Sequence, residues 1–151
     1  MIQQYQNILV AVDGSDESEK AFKKAVNVAK RNDANLVLAH IIDTRAFQSI
    51  SSFDDELANQ ATTMAKQTLA ELTTFAKNLG VEKITQVVKY GAPKTILAKD
   101  LPSEYQIDLI MVGATGLNAV ERLLIGSVSE YIIRHAHCDV LVVRTDLTSP
   151  N

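Results

Sequence analysis

The sequence predicts an α/β fold: a single Rossmann-like, doubly wound domain over residues 1–151, with a five-stranded parallel sheet ordered 3-2-1-4-5 and helices on both faces. Three observations lead there. Short apolar runs alternate with segments of helical periodicity along the whole chain. The runs are continuous rather than alternating, which suits strands covered on both faces. The intervening helical patterns are long enough for right-handed crossovers between parallel neighbours.

The elements follow in order. "NILVAVD" (residues 7–13) is the first buried strand. "GSDESEKAFKKAVNVAKR" carries helix signals: Asp16 and Glu19 have capping-box spacing, and Phe22, Val26 and Ala29, flanked by Ala21, Ala25 and Val28, form an apolar stripe. "ANLVLAHIID" holds a second strand over about 35–42, and "DTRAFQSISSFDD" reads as a connection. A long helix is expected over 54–79, with Leu57, Ala61, Met64, Thr68, Leu72, Phe75 and Leu79 as its core face, an acidic first turn at Asp54, Asp55 and Glu56, and Gly80 as its stop. "ITQVVKY" is the third strand, and Pro93 opens a short helix through about Lys99. "IDLIMVG" and "DVLVVR" are the fourth and fifth strands, separated by a helix centred on "SVSEYIIRHA". The last residues, "TDLTSPN", look frayed.

Composition narrows the function classes. The chain has 151 residues, enough for one well-packed core, and 46% of them are hydrophobic. A net charge of -3 supplies no positive field for nucleic acid or anionic lipid. The N-terminus lacks signal-peptide architecture and no apolar run is long enough to span a bilayer, so a cytoplasmic protein is expected. A lone cysteine, Cys138, excludes an internal disulfide and a multi-cysteine metal site.

Doubly wound sheets bind ligands beyond the carboxyl ends of their strands, where strand order reverses. Two loops are singled out: "DGSD" after the first strand and "GATG" after the fourth. Gly113 and Gly116 can adopt positive φ and expose backbone N–H groups. Gly126, Ser127 and Val128 fall where the next helix begins, and the first amides of a helix suit an anion such as a phosphate. Ser127 and Ser129 either add hydroxyl donors or cap the helix. Two amide clusters converging on one polyphosphate would account for the spacing; so would two unrelated turns. The P-loop pattern and the usual dinucleotide fingerprint are both missing.

"GATGLNAVERLLIGSVSEYIIRHAHCDVLVVR" resembles the universal stress protein family, whose ATP-binding members carry G-x2-G-x9-G-[ST] before a final helix and strand; Gly113, Gly116, Gly126 and Ser127 match that spacing. "ILVAVDGS" and "LVLAHIID" resemble the family's first two strands, so the resemblance spans essentially the whole chain. It implies an adenine nucleotide beside Ala11, Val12 and Asp13, a backbone contact from Ile41 to the adenine, and ribose and phosphates around Gly113, Gly116, Gly126, Ser127 and Val128. A carboxylate beside a polyphosphate repels it unless a cation intervenes, so Asp13 points to Mg²⁺ or Mn²⁺; capping the following loop is its other available role. Two departures matter. Leu117 stands where many relatives have a basic residue, and Ala119 where a further glycine is common, which removes a charge and some freedom; Arg122 keeps one cation in the segment.

Other conspicuous residues have structural roles. His40 is expected to be a core or strand-end histidine, His135 and His137 to flank a helix end, and Cys138 to be a small buried filler. The edge strand "VLVV", between Val140 and Val143, invites pairing with a copy of itself, and the resemblance implies a homodimer through it. The expected function is an ATP-binding stress-response or signalling module with slow or no hydrolysis, because no residue stands out as a general base. The alternative is a dimeric interaction protein of the same fold that works without nucleotide; an enzymatic role would rest on fold analogy alone.

Overall fold

The computed structural model describes residues 4–43, 55–114 and 126–144. Its sheet has five parallel strands in the order β3-β2-β1-β4-β5: β1 Asn7–Ala11, β2 Asn35–Asp43, β3 Ile84–Gly91, β4 Leu109–Gly113 and β5 Asp139–Val143. This is the predicted order. Alternate side chains of each strand point to opposite faces, which generates two core layers. Ile8, Val10, Leu36, Leu38 and Met111 pack under helices α1 (Asp16–Asn32) and α2 (Asp55–Asn78). Leu9, Val37, Ala39, Ile110 and Val112 pack under α3, a helical stretch built from Pro93–Thr95, Ile96–Asp100 and Leu101–Glu104, and under α4 (Ser127–His135).

Several boundaries differ from expectation for local reasons. β1 ends at Ala11 rather than Asp13, and β4 begins at Leu109 rather than Ile107. The N-cap of α1 is Ser15, one residue before the expected Asp16: its side chain accepts the Ser18 N–H, and Asp16, Glu17 and Glu19 then form an acidic first turn. α3 runs past Lys99 to Glu104: a π-helical turn, in which the Leu101 N–H reaches back to the Ile96 carbonyl, carries the chain up to Pro102, which has no N–H to donate.

The face of α2 is a larger correction. The predicted stripe does not form its core side: Leu57 is 37% exposed, Met64 68%, Phe75 41% and Leu79 44%. The buried positions are instead Ala65, Leu69 and Ala76, with Leu72 half-buried beside them. Small side chains at two of these sites let the helix axis approach the sheet, and a search for large apolar residues follows the wrong stripe. Phe75 still caps the margin of the core, its ring centroid 5.8 Å from that of Phe22.

At the amino end of the sheet, Asp108 accepts the Gln6 and Asn7 N–H groups at 2.8 and 3.0 Å, and so fixes where β1 enters. Among the described residues, no helix is long and apolar enough to cross a membrane.

The packing of α2 is directly testable. Leu69→Ala should lower unfolding free energy by about 2–5 kcal/mol, as a buried leucine truncation does, whereas Met64→Ala should change it by less than about 0.5 kcal/mol. Urea denaturation of the two variants compares them; equal effects would return the predicted stripe to the core.

Candidate nucleotide site

The site starts from unequal strand lengths. β1 and β2 pair through Ala11 and Ala39, while β2 continues alongside β3 to Asp43 and Gly91. Beyond Ala11 the chain leaves the sheet, and local polar contacts replace the ladder. The Val12 N–H still donates to the Ala39 carbonyl at 2.8 Å, and the Val12 carbonyl accepts from His40 Nδ1 at 2.7 Å. Asp13 Oδ1 accepts the Ser15 N–H at 2.9 Å, the Asp13 N–H meets Ser18 Oγ at 3.3 Å, and Gly14 turns the chain with φ 85°.

Opposite this loop, β4 ends at Gly113. A Cβ there would lie 2.5 Å from the Glu17 carbonyl oxygen, so the absent side chain is what lets α1 close over the end of β4. This corrects the reason given for Gly113: its φ is not positive, and close approach is what requires glycine. Gly116, with Leu117, Ala119 and Arg122, lies outside the described residues.

α4 supplies the third wall. Its N-cap is Gly126, which brings no side-chain hydrogen bond, and Glu130 N–H to the Gly126 carbonyl, at 2.9 Å, starts the helical pattern. The amides of Ser127, Val128 and Ser129 therefore precede the first intrahelical bond, at the positive end of the dipole. Ser129 Oγ donates to the Gly113 carbonyl at 3.2 Å, which ties α4 to β4 and leaves the Ser127 hydroxyl as the exposed one. The contrast with α1 is instructive, since that helix is closed by its own serine cap and acidic first turn.

These parts enclose a cavity of about 280 Å³ beyond the carboxyl ends of β1 and β4, the position expected for a doubly wound sheet. Of the sequence-predicted residues, Ala11, Asp13, Gly113, Gly126, Ser127, Val128 and Ser129 line it together. Val12 does not: its side chain is 4% exposed within the core and its backbone groups are engaged as described. Ile41 is also off the lining, half-buried at the end of β2. Ser15 belongs to the "DGSD" loop already singled out; sequence reasoning missed Val112 and also Glu17 and Ser18, which enter the wall because α1 approaches so closely, and the absent Cβ at Gly113 was the available signal. It also missed Lys94, which shares an adjoining depression with Ser127, Tyr131 and Arg134.

Burial opposes ionisation of Asp13, but hydrogen bonds from the Ser15 side chain and backbone and from Ser18, together with the charge of His40, outweigh it and hold the carboxyl below its ordinary range. Among the described residues no three His, Cys, Asp or Glu side chains gather as a metal cluster. A cation held partly by Asp13 would need ligand oxygens from elsewhere, as a phosphate chain provides. Burial, then Asp139 and Asp108, push the half-buried Cys138 thiol up, as befits an inert packing residue. His135 closes α4 with its ring 4.2 Å from that of Tyr131.

The chain matches the universal stress protein family model over residues 4–144. It belongs to the universal stress protein family. A Staphylococcus haemolyticus protein carrying the family's name is 50% identical over 142 residues, 94% of this chain and 86% of that one. The solved universal stress protein UspA from Lactobacillus plantarum is 31% identical with a TM-score of 0.78, covering 95% of this chain and all of that one. A universal stress protein solved in complex with cAMP is 29% identical with a TM-score of 0.73, covering 95% of this chain and 100% of that one.

The Asp13 carboxylate gives a pH prediction. Its folded pKa is depressed, so its contribution to stability is present above the ordinary carboxylate range and is lost as pH falls through the folded value. Asp13→Ala should destabilise at pH 7 by less than about 1 kcal/mol, because water still reaches and screens this partly covered group, and this difference should vanish in strong acid. Denaturant titrations of both proteins at the two pH values measure it; a difference that persists in acid would show the loss to be independent of the charge.

Proposed function

We propose that this universal stress protein binds ATP, with Mg²⁺ or Mn²⁺, as a cytoplasmic stress-response or signalling module with slow or no hydrolysis. The observation that carries this reading is the uncapped first turn of α4 facing the β1–α1 loop across one cavity. Phosphates would lie against the Ser127, Val128 and Ser129 amides, and the Ser127 hydroxyl can donate to them. The cation would offset the charge between phosphates and Asp13, with Glu17 on the same wall adding to the need for it. Gly116 completes the motif match and is assigned to the phosphates on that resemblance. Ala11 would flank the nucleoside, and the backbone of Ile41 would meet the adenine edge. A universal stress protein of the same fold solved in complex with cAMP supports an adenine-nucleotide ligand. Asp13, held ionised by its hydrogen bonds, is a poor base for activating water.

The homodimer belongs to the same proposal. The Ala114 N–H donates to the Val143 carbonyl, so Val143 and alternate residues before it face β4, and the backbone groups of Val140 and Val142 face outward. The second reading, a dimer that acts without nucleotide, rests on Leu117 and Ala119, which remove a charge and some freedom from the glycine segment.

Two variants test these statements. Ser127→Glu adds a carboxylate that suits a helix N-terminus yet repels phosphate, so thermal stability should hold while Mg-ATP affinity falls at least about tenfold, or 1.4 kcal/mol, by calorimetric titration. Unchanged affinity would remove α4 from the site, and no heat from the parent protein would favour the nucleotide-independent dimer. Val142→Pro deletes an outward N–H without touching the β4 ladder. Sedimentation equilibrium should then report a monomer where the parent is a dimer; a parent that is monomeric at micromolar concentration would refute the dimer.

A further inference from the structure

We infer that His40 is a positioning residue for the nucleotide base: its imidazole ends the β1–β2 ladder one rung early and leaves the backbone of Ile41 open to the base edge. The inference rests on the nucleotide-binding reading above and adds a residue that the family motif does not contain. The last rung on this side is Val12 N–H to the Ala39 carbonyl at 2.8 Å. In a parallel ladder the following rung would run from the Ile41 N–H to the Val12 carbonyl. That carbonyl instead accepts from His40 Nδ1 at 2.7 Å. A carbonyl only accepts, so Nδ1 carries the proton, and the side chain stands where the next stretch of ladder would form.

The geometry of β2 does the rest. Backbone groups of successive strand residues point to alternate edges, so Ile41 shares the β1-facing edge with Ala39, whereas His40 faces β3, where it is in register with Val88. Because β1 has already turned away at Asp13 and Gly14, the Ile41 N–H and C=O point past its end. Adenine offers N1 as an acceptor beside its amino group as a donor, the complement of one residue's N–H and C=O. Guanine in the same orientation presents the opposite polarity. His40 would thus set both affinity and base preference without touching the base.

The test separates this claim from nucleotide binding itself. In the unliganded protein, amide hydrogen exchange followed by NMR should find Ile41 at least about tenfold faster than Ala39. His40→Phe keeps a ring and removes the donor: Ile41 should become protected and Mg-ATP affinity should fall about tenfold, with affinity for inorganic triphosphate unchanged. His40→Asn, which restores a donor, should recover both properties. An Ile41 amide as slow as Ala39 in the parent protein overturns the inference, and that measurement decides the matter even where His40→Phe does not fold. Unaltered exchange and affinity in a folded His40→Phe also overturn it. A fast Ile41 amide with no Mg-ATP binding sinks the nucleotide reading and leaves the early end of the ladder standing.

Discussion

The middle of the central strand is fully buried, and the strand's end sets the terms for everything near the cavity. Ile8, Leu9 and Val10 have no exposed surface, and both neighbours of β1 are strands of the same sheet. Each backbone group there depends on a ladder partner, since an unpaired buried amide or carbonyl costs about 1–3 kcal/mol. Stopping β1 at Ala11 while β2 runs on to Asp43 therefore transfers that demand to side chains. His40 takes the Val12 carbonyl, Asp13 takes the Ser15 amide, and Ser18 meets the Asp13 amide. The run Asp-Gly-Ser-Asp is the polar, turn-forming sequence such a stop requires. The cavity opens where β1 leaves the sheet beside the end of β4.

The second constraint is the approach of α1 to β4, which gives the cleft two walls of opposite character. With no Cβ on Gly113, the backbone of Glu17 moves in over the strand end and brings the acidic first turn of α1 to the cavity. Across from it stands α4, whose glycine N-cap leaves its amides without a side-chain partner. Both helices have positive dipole ends here, but α1 meets its own with a serine cap and three acidic residues, whereas α4 has no side-chain cap and a single acid, Glu130. A purely anionic ligand would be drawn to one wall and repelled by the other. An anion that carries a divalent cation can satisfy both, which is why the carboxylates alone do not argue against a polyphosphate.

How much of this was legible in the sequence depends on which physical signal each part writes into it. Two-sided burial leaves uninterrupted apolar runs, so the strands and their parallel order were readable from "NILVA" and "LIMVG". The walls of the cavity were largely readable too, because Gly113, Gly126 and Ser127 are marked by composition and spacing. The buried face of α2 was not readable from large residues, since alanines at positions 65 and 76 do the close packing and leave Met64 outside. The role of His40 was invisible for another reason: within "LAHII" it reads as a strand residue, and only the three-dimensional end of β1 reveals the carbonyl it serves. Glu17 and Ser18 were likewise hidden, because their place on the wall follows from a contact distant in sequence.

A ligand that used both the open edge of β2 and the first turn of α4 would bridge two parts of the molecule that share few direct contacts. Ile41 is fixed by the β2–β3 ladder, whereas α4, on the same face of the sheet, is tied to β4 through Ser129. Binding at both ends would stabilise the folded chain through mass action, by about 2.7 kcal/mol at a ligand concentration one hundred times Kd. With Asp13 held in its ionised, hydrogen-bonded state, that interaction energy would go into holding the ligand in its ground state rather than into lowering a reaction barrier. α4 leads directly into β5, the strand at one edge of the sheet. The uncapped first turn of α4 and the β5 edge thus stand on consecutive elements of one chain, separated by the nine residues of the helix and a short turn.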